Sequence, residues 1–356
     1  MTGKILTGNT MLRVPVRRRG LLKTAAGAAA LGMTGNLFSS LAHAADGLVA
    51  LVHTQAAGDS GPVDSMISKL KQLASEKGFP YRAIYAQDPA TYETIFRTLG
   101  DAGAAVVVST FNEVAEPIKA VAPDYPDTKW IQLFADPFEP PMPNVVTVSY
   151  DYYLGCYLSG IFASGVSASG KLGFIGGISI PPINADFNAF TAGAKSLRPD
   201  VTSTAAFAGS FQDPAKGQEI ATQMFSDGID YIQTDAAATD FGIITAANEE
   251  DGRMVSALDP AQFPLGPKSL IAIVGLDFGM SLYNEVSNAL GDDWDGGSHV
   301  STGLGTGVID FVRSPLFEED GSDALNAKAK EIWPEVEKAK AAILDGSLKV
   351  PFNTEL

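Results

Sequence analysis

The sequence contains a single cysteine, Cys156, in 356 residues. One thiol cannot form an intramolecular disulfide, so a small disulfide-stapled fold is excluded and the stability must come from a hydrophobic core. A chain of this length is close to the size at which one core divides, so we expect two lobes.

Histidine is nearly as scarce, and only His53 and His299 follow the first 44 residues. They lie far apart in the sequence and Cys156 stands alone, so the spacing of a zinc site is absent. Residues 293–304 resemble a calcium loop but carry Leu304 at the position of the bidentate glutamate. We expect neither a metal ion nor a cofactor.

The same scarcity argues against catalysis. Gly58-Asp59-Ser60-Gly61 matches the tetrapeptide around the nucleophile of chymotrypsin-like serine proteases, in which histidine and aspartate come well before the serine. Here only His53 precedes it after the first 44 residues, and no β-barrel fits in front of it. We interpret this tetrapeptide as a turn that leads into a helix, and we expect no enzyme activity.

Basic residues are also few: 25 lysines and arginines stand against 41 acidic residues, a formal charge of −16. Nucleic-acid binding depends on neutralising phosphates with cations, and anionic membranes attract basic patches. We therefore expect neither nucleic acid nor a membrane surface as a partner.

The first 44 residues have the composition of an export signal. Arg17, Arg18 and Arg19 precede an apolar Ala/Gly/Leu run, and Ala42-His43-Ala44 resembles a cleavage site. The paired arginines before Gly-Leu-Leu-Lys resemble a twin-arginine signal, with an ordinary secretory signal as the alternative. Cleavage would leave 19 basic against 41 acidic residues, a charge of −22. No later apolar run has spanning length, so we expect a soluble periplasmic protein.

Short apolar runs then alternate with amphipathic stretches, the pattern of βαβ units and parallel sheets. The cycle restarts near residue 150, which predicts an α/β fold of two doubly wound parallel-sheet lobes joined by a hinge. We assign residues 45–150 and about 270–318 to lobe 1, and residues 151–269 and about 319–356 to lobe 2. Within lobe 2, residues 172–175 are predicted as a strand and residues 187–197 as a helix.

In open parallel sheets, ligands bind beyond the carboxyl ends of the strands. The residues at those ends are rich in aromatic rings and carboxylates. Gly177 would let a flat ligand approach the backbone, and Phe111 and Phe187 would supply stacking surfaces. For Phe111, a place in the core is the alternative. Phe190 shares one helical face with Ala194 and Leu197 and is expected in the core, whereas Phe187 lies one position off that face.

Several segments resemble the basic membrane protein (BMP) family of solute-binding proteins of ABC transporters, typified by purine nucleoside receptors. They are "VVTVSYDYYLGCYLSGIFAS", "GKLGFIGGISIPPINADFNAFTAGAKSLRPD", the stretch from "FAGSFQDPAKG" to "FGIITAANE", and "AILDGSLKVPF". The resemblance covers nearly all of the chain after residue 44. It implies a type I periplasmic-binding fold that holds a purine nucleoside or a related heterocycle between two lobes.

Some positions depart from the pattern of that family. Ser60 keeps the serine of a Ser-Phe-Asn sequence in the first loop, but Gly61 replaces its aromatic residue. Leu154 stands where the hinge helix of the family has a glutamate. Asp259 falls on an aspartate that contacts ribose in nucleoside binders, but a nearby lysine has no counterpart. A free nucleobase is therefore as plausible as a nucleoside.

We predict the solute-binding subunit of an ABC importer, a monomer that delivers its ligand to a permease and its ATPase. Alternatives are a sugar or autoinducer receptor of the same fold, a subunit of a sensory system, and an exported nucleoside hydrolase. The predicted ligand-binding residues are His53, Ser60, Phe111, Asn112, Asp136, Gly177, Phe187, Asp235 and Asp259.

Overall fold

A computed structural model describes residues 47–58, 61–292 and 294–356. The expected export signal and Ser60 lie outside these residues. The described strands are β1 (Val49–His53), β2 (Tyr81–Tyr85), β3 (Val106–Thr110), β4 (Lys129–Leu133), β5 (Val145–Tyr150), β6 (Lys171–Gly176), β7 (Thr202–Phe207), β8 (Tyr231–Asp235), β9 (Met254–Ala257), β10 (Leu270–Leu276), β11 (His299–Thr302) and β12 (Ile309–Arg313). The α-helices are α1 (Pro62–Lys77), α2 (Tyr92–Asp101), α3 (Ala115–Val121), α4 (Tyr152–Val166), α5 (Pro181–Leu197), α6 (Pro214–Ser226), α7 (Asp240–Ala247), α8 (Phe278–Leu290), α9 (Pro315–Asp320) and α10 (Asp323–Leu344).

The strands form two six-stranded sheets. The first has the order β11–β5–β4–β3–β1–β2, and all its neighbouring strands are parallel. The second has the order β12–β10–β9–β8–β6–β7 and is parallel except for the pairing of β12 with β10. The prediction of two parallel-sheet α/β lobes is confirmed.

The chain passes between the two sheets after β5, after β10, and between β11 and β12. The expected division is therefore incorrect at two strands, because β10 and β12 belong to the second sheet and not to lobe 1. An apolar strand such as β10 has the same composition in either sheet, and only its pairing with β9 assigns it. The helix α8 packs on β3 and β4, and β11 pairs with β5. After β5, the chain therefore returns to the first lobe with α8 and β11.

Burial explains why these segments form strands. Every residue of β1, β3 and β8 is buried, as in parallel strands that helices cover on both faces. The edge strand β2 has no fully buried residue and alternates between exposed and half-buried positions. None of the described helices is long and apolar enough to cross a membrane.

The helices α4 and α5 pack backbone to backbone in the second lobe. A Cβ atom on Gly160 would lie 2.0 Å from the carbonyl oxygen of Phe190, and one on Gly193 would lie 2.0 Å from that of Tyr157. The helix α5 begins at Pro181, six residues before the predicted start, because proline at the first helical turn is compatible with a helix.

Candidate functional site

A cleft of about 820 Å³ lies where strand ends of the two sheets face each other. Its first wall follows β3, β4 and β5, and its second wall follows β6, β8 and β9. This volume is in the range of sites for small molecules. Seven aromatic residues line the cleft: Phe111, Phe134, Tyr150, Tyr153, Phe211, Phe278 and Phe352.

Four of these rings form one continuous aromatic wall on the first lobe. The ring centroid of Phe134 lies 5.6 Å from that of Phe111, 6.1 Å from that of Tyr150 and 6.2 Å from that of Phe278. Tyr150 lies 4.9 Å from Phe278 and donates a hydrogen bond of 2.8 Å to the Ser281 hydroxyl. Rings at these distances attract one another and provide a large apolar surface to a flat ligand.

Three non-glycine residues in the described part of the chain have a positive φ angle, and all three line the cleft. They are Phe111 (69°), Phe134 (55°) and Ala237 (51°), and each lies at the end of a strand. Such conformations cost about 1–3 kcal/mol each and persist only where the surroundings hold them. The Phe111 N–H donates to the Leu133 carbonyl at 2.9 Å, and the Gln132 side chain donates to the Phe111 carbonyl at 2.8 Å. These two hydrogen bonds hold the backbone of Phe111 at the edge of the cleft, which its side chain lines.

The glycine pair at the end of β6 makes room for the second wall of the cleft. A Cβ atom on Gly177 would lie 2.2 Å from the ring of Phe211, and one on Gly176 would lie 2.8 Å from Ile183 and 2.9 Å from Phe207. Phe211 and Ile183 line the cleft, whereas Gly177 does not. The glycines therefore admit protein side chains, and Phe211 supplies the ring that we expected from Phe187.

The polar groups of the first lobe surround the aromatic wall. Asn112 donates a hydrogen bond of 3.3 Å to Asp136. His299 lies between the hydroxyls of Thr147 and Ser149, with nitrogen–oxygen distances of 2.8 and 3.0 Å. Burial lowers the pKa of His299, which favours the neutral imidazole. The first wall therefore offers neutral donors and acceptors together with a carboxylate.

Three buried carboxyl groups lie in the second lobe beside the cleft. Asp235 ends β8, is 8% exposed and lines the cleft. Burial raises the pKa of Asp235, although a hydrogen bond from Asp186 opposes the increase. Burial and the neighbouring Asp235 raise the pKa of Asp186 well above its usual range. We infer that Asp186 is protonated and donates a hydrogen bond to Asp235, which acts as the acceptor.

One oxygen of the Asp235 carboxylate is unsatisfied among the described residues. Its Oδ2 atom is buried and has no hydrogen-bond partner among the described residues. Within the described part of the chain, neither oxygen of Asp240 has a partner at hydrogen-bonding geometry, and burial raises the pKa of Asp240 to about 8, so it is protonated at neutral pH. An unpaired buried carboxylate is costly, and a ligand donor in the cleft would remove that cost.

The cleft contains no lysine or arginine among its described lining residues. Its charged groups are the carboxylates of Glu113, Asp136, Asp151 and Asp235. Such a site disfavours a phosphate or carboxylate ligand and favours a neutral or positively charged one.

Four of the predicted site residues line the cleft: Phe111, Asn112, Asp136 and Asp235. Phe187 is half-buried with its ring 5.7 Å from Phe174, away from the cleft lining. His53 is buried, donates a hydrogen bond of 2.7 Å from Nδ1 to the Gln55 carbonyl oxygen, and stacks on Tyr85 at 5.5 Å.

Asp259 has a structural position instead of a place in the cleft. It caps the short helix Pro260–Leu265, accepts from the Ala261 N–H at 2.7 Å, and forms a capping box with Gln262. Its neighbour Leu258 lines the cleft.

Most of the rings that line the cleft are not among the residues predicted from the sequence. Phe134 directly follows β4 and Tyr150 ends β5, just as Phe111 directly follows β3. Phe278 begins α8, two residues after β10. Its place in the cleft depends on the pairing of β10 with β9 in the second sheet. The available signal was an aromatic residue at the end of β3, β4 and β5.

The described residues contain no group of three or more histidine, cysteine, aspartate or glutamate side chains that could hold a metal ion. Cys156 is buried, and burial raises its pKa well above the usual range, so its thiol is neutral.

Comparisons with known proteins place these features in a family context. The family profile Bmp, described as "ABC transporter substrate-binding protein PnrA-like", matches residues 48–342. Basic membrane protein A2 of Borrelia garinii subsp. bavariensis is 31% identical over 268 residues, which is 74% of this chain and 77% of that protein. The ABC transporter nucleoside-binding protein BmpA of Lactococcus lactis subsp. cremoris is 26% identical over 297 residues, covering 79% of this chain and 81% of the relative.

Solved structures give the same fold. A solute-binding protein of an ABC transporter system from Aeropyrum pernix K1 superposes with a TM-score of 0.74 at 20% identity, covering 86% of this chain and 94% of the other. A second, from Conexibacter woesei DSM 14684, has a TM-score of 0.68 at 22% identity, covering 86% and 99%. At these identities the similarity concerns the fold.

Proposed function

Because this chain belongs to the Bmp family of PnrA-like ABC transporter substrate-binding proteins, we propose that it captures a purine nucleoside or nucleobase in the cleft between its lobes. A relative of this chain is named a nucleoside-binding protein, which supports a ligand of this class. The ligand is delivered to a permease and its ATPase, and the protein acts as an exported, periplasmic monomer.

One observation carries the proposal: the aromatic wall of the first lobe lines the same cleft as Asp235 of the second lobe, whose Oδ2 atom has no hydrogen-bond partner among the described residues. A purine has a flat face that stacks on rings and N–H groups that donate to a carboxylate. Phe111 and Phe134 would contact the face of the base, and Asp235 would accept from one of its N–H groups. Asn112 and Asp136 would bind the remaining polar edge or a ribose hydroxyl.

The charge of the cleft narrows the ligand class. With four carboxylates and no lysine or arginine among the described lining residues, the site suits a neutral nucleoside or base and rejects a nucleotide. A phosphate would face Asp136 and Asp235 without a cation to neutralise it.

The mechanism is a shift between open and closed arrangements of the lobes. A ligand that contacts both walls is fully bound only when they come together, so binding favours the closed form. The thiol of Cys156 is neutral and the carboxyl group of Asp240 is protonated, so neither group is an activated nucleophile. We expect the ligand to be released without chemical change.

The proposal is tested by isothermal titration of the refolded, ligand-free protein with adenosine, guanosine, inosine, their free bases, inosine monophosphate and D-ribose. We expect one nucleoside or base to bind at a 1:1 ratio without turnover, and the monophosphate to bind at least tenfold more weakly. Asp235→Asn should weaken binding about tenfold, since a hydrogen bond to a charged group contributes about 1.5–3 kcal/mol.

A matched control is Asp251→Asn, which changes an exposed turn aspartate and should leave binding unaltered. Binding of D-ribose but of no purine would indicate a sugar receptor. Cleavage of a nucleoside by the purified protein would contradict the transport function.

A further inference from the structure

The segment that follows α10 runs along the rim of the cleft. We call residues 351–356 the strap. It is anchored just upstream, where Val350 is buried and Leu348 packs against the hydrophobic core. The strap itself has no regular secondary structure.

Two asparagine side chains of α5 hold the strap. Asn188 Nδ2 donates to the carbonyl oxygens of Asn353 at 2.8 Å and Glu355 at 2.7 Å, and Asn184 Nδ2 donates to that of Thr354 at 3.1 Å. Three consecutive carbonyls are therefore bound to one helix of the second lobe. The strap consequently belongs to the second lobe and would move with it.

This anchoring directs Phe352 into the cleft. Its ring lies 5.2 Å from that of Tyr153, at an interplanar angle of 66°, and both residues line the cleft. Phe352 is nevertheless 59% exposed, although moving a large apolar side chain out of water is favourable. The edge-to-face contact with Tyr153 leaves much of the Phe352 ring available for a further contact.

We propose that Phe352 is a ligand-contacting residue, and that the strap is a third wall which the second lobe brings over the ligand. The proposal rests on the proposed function of the cleft. Phe352 would stack on the exposed part of a base or sugar that the aromatic wall of the first lobe holds from the other side. The residue would determine specificity, because a bulky substituent on that part of the ligand would meet the ring.

A structural role for Phe352 predicts different behaviour. If its ring only covered Tyr153, removing the ring would lower the melting temperature and leave ligand affinity unchanged. If it contacts the ligand, the melting temperature without ligand should change little, since the ring is mostly exposed, and the affinity should fall.

The experiment measures ligand affinity by isothermal titration, and the melting temperature without ligand, for wild type and variants. Inosine is the first probe, followed by hypoxanthine, adenosine and D-ribose. We expect Phe352→Ala to weaken binding about tenfold, the size of a lost base–aromatic stacking contact, and Phe352→Tyr to retain wild-type affinity. The double variant Asn184→Ala/Asn188→Ala should weaken binding in the same direction by releasing the strap.

Leu356→Ala is the matched control, because Leu356 is a 65% exposed apolar residue of the strap that does not line the cleft. Unchanged affinity in Phe352→Ala, or an equal loss in Leu356→Ala, would overturn the inference. If wild type binds D-ribose but no purine, the purine assignment fails and the strap is tested with D-ribose. If wild type binds none of the probes, both proposals fall.

Discussion

At the scale of single residues, the structure separates rings that build the cleft from rings that build the core. Phe190 is fully buried, as the helical pattern predicts, whereas Phe111 is held toward the cleft by a positive φ angle. No property of the phenylalanine side chain distinguishes the two in the sequence. The difference comes from the backbone at the end of β3, which the hydrogen bonds to Leu133 and Gln132 stabilise.

Asp240 gives a prediction for stability against pH. Burial raises its pKa in the folded protein to about 8, from a usual value of 3.8. The folded state therefore keeps a proton that the unfolded chain loses above about pH 4, so folding stability falls as the pH rises toward 8. Asp186 and Asp235 act in the same direction, because burial raises the pKa of both.

We expect Asp240→Asn to reduce this dependence. From pH 5 to 7, Asp240 alone should lower the free energy of unfolding of wild type by about 3 kcal/mol, at about 1.4 kcal/mol per pH unit, and the variant should lose that part of the slope. Urea denaturation at the two pH values measures the difference. An identical slope in the variant would contradict a protonated Asp240, and Asp251→Asn, at an exposed turn, should behave as wild type.

At the scale of elements, the contact between α4 and α5 leads us to expect an effect on stability opposite to the one that helix propensity predicts. Alanine in place of a helical glycine normally stabilises by about 1 kcal/mol. At Gly160 the added methyl would meet the Phe190 backbone, which cannot move aside without separating the helices.

We therefore expect Gly160→Ala to lower the free energy of unfolding by about 2 kcal/mol, the usual cost of overpacking. Gly165→Ala on the same helix is the matched control, because its methyl would meet the side chain of Ile332 and not a backbone atom. Its loss should be smaller. Chemical denaturation of both variants measures the difference, and a stabilised Gly160→Ala would disprove the close backbone contact.

The sequence predicts elements better than it predicts their partners. Buried runs such as β1 and β3 can be predicted as strands because nearly every residue is apolar or small, His53 at the end of β1 being the exception. The assignment of β10 failed because sheet membership depends on pairing across distant parts of the chain. The start of α5 was misplaced because Pro181 and Pro182 favour a loop in composition, although proline is tolerated in the first turn of a helix.

At the scale of the whole molecule, the two-lobe architecture was predictable and the cleft surface was only partly so. Length, cysteine content and the alternation of strands and helices determine two parallel-sheet lobes. The cleft is composed of strand ends, a helix start at Phe278 and the strap at Phe352, which lie far apart in sequence. Only the folded chain brings these residues together.

The central claim is that a flat ligand binds between the aromatic wall of the first lobe and Asp235 of the second. A crystal structure of the protein grown with its tightest-binding purine tests it most directly. We expect one ligand molecule in the cleft, with its base against Phe111 and Phe134 and an N–H group within hydrogen-bond distance of the Asp235 carboxylate. A purine bound outside the cleft, or in contact with only one lobe while the cleft holds solvent, would contradict the account.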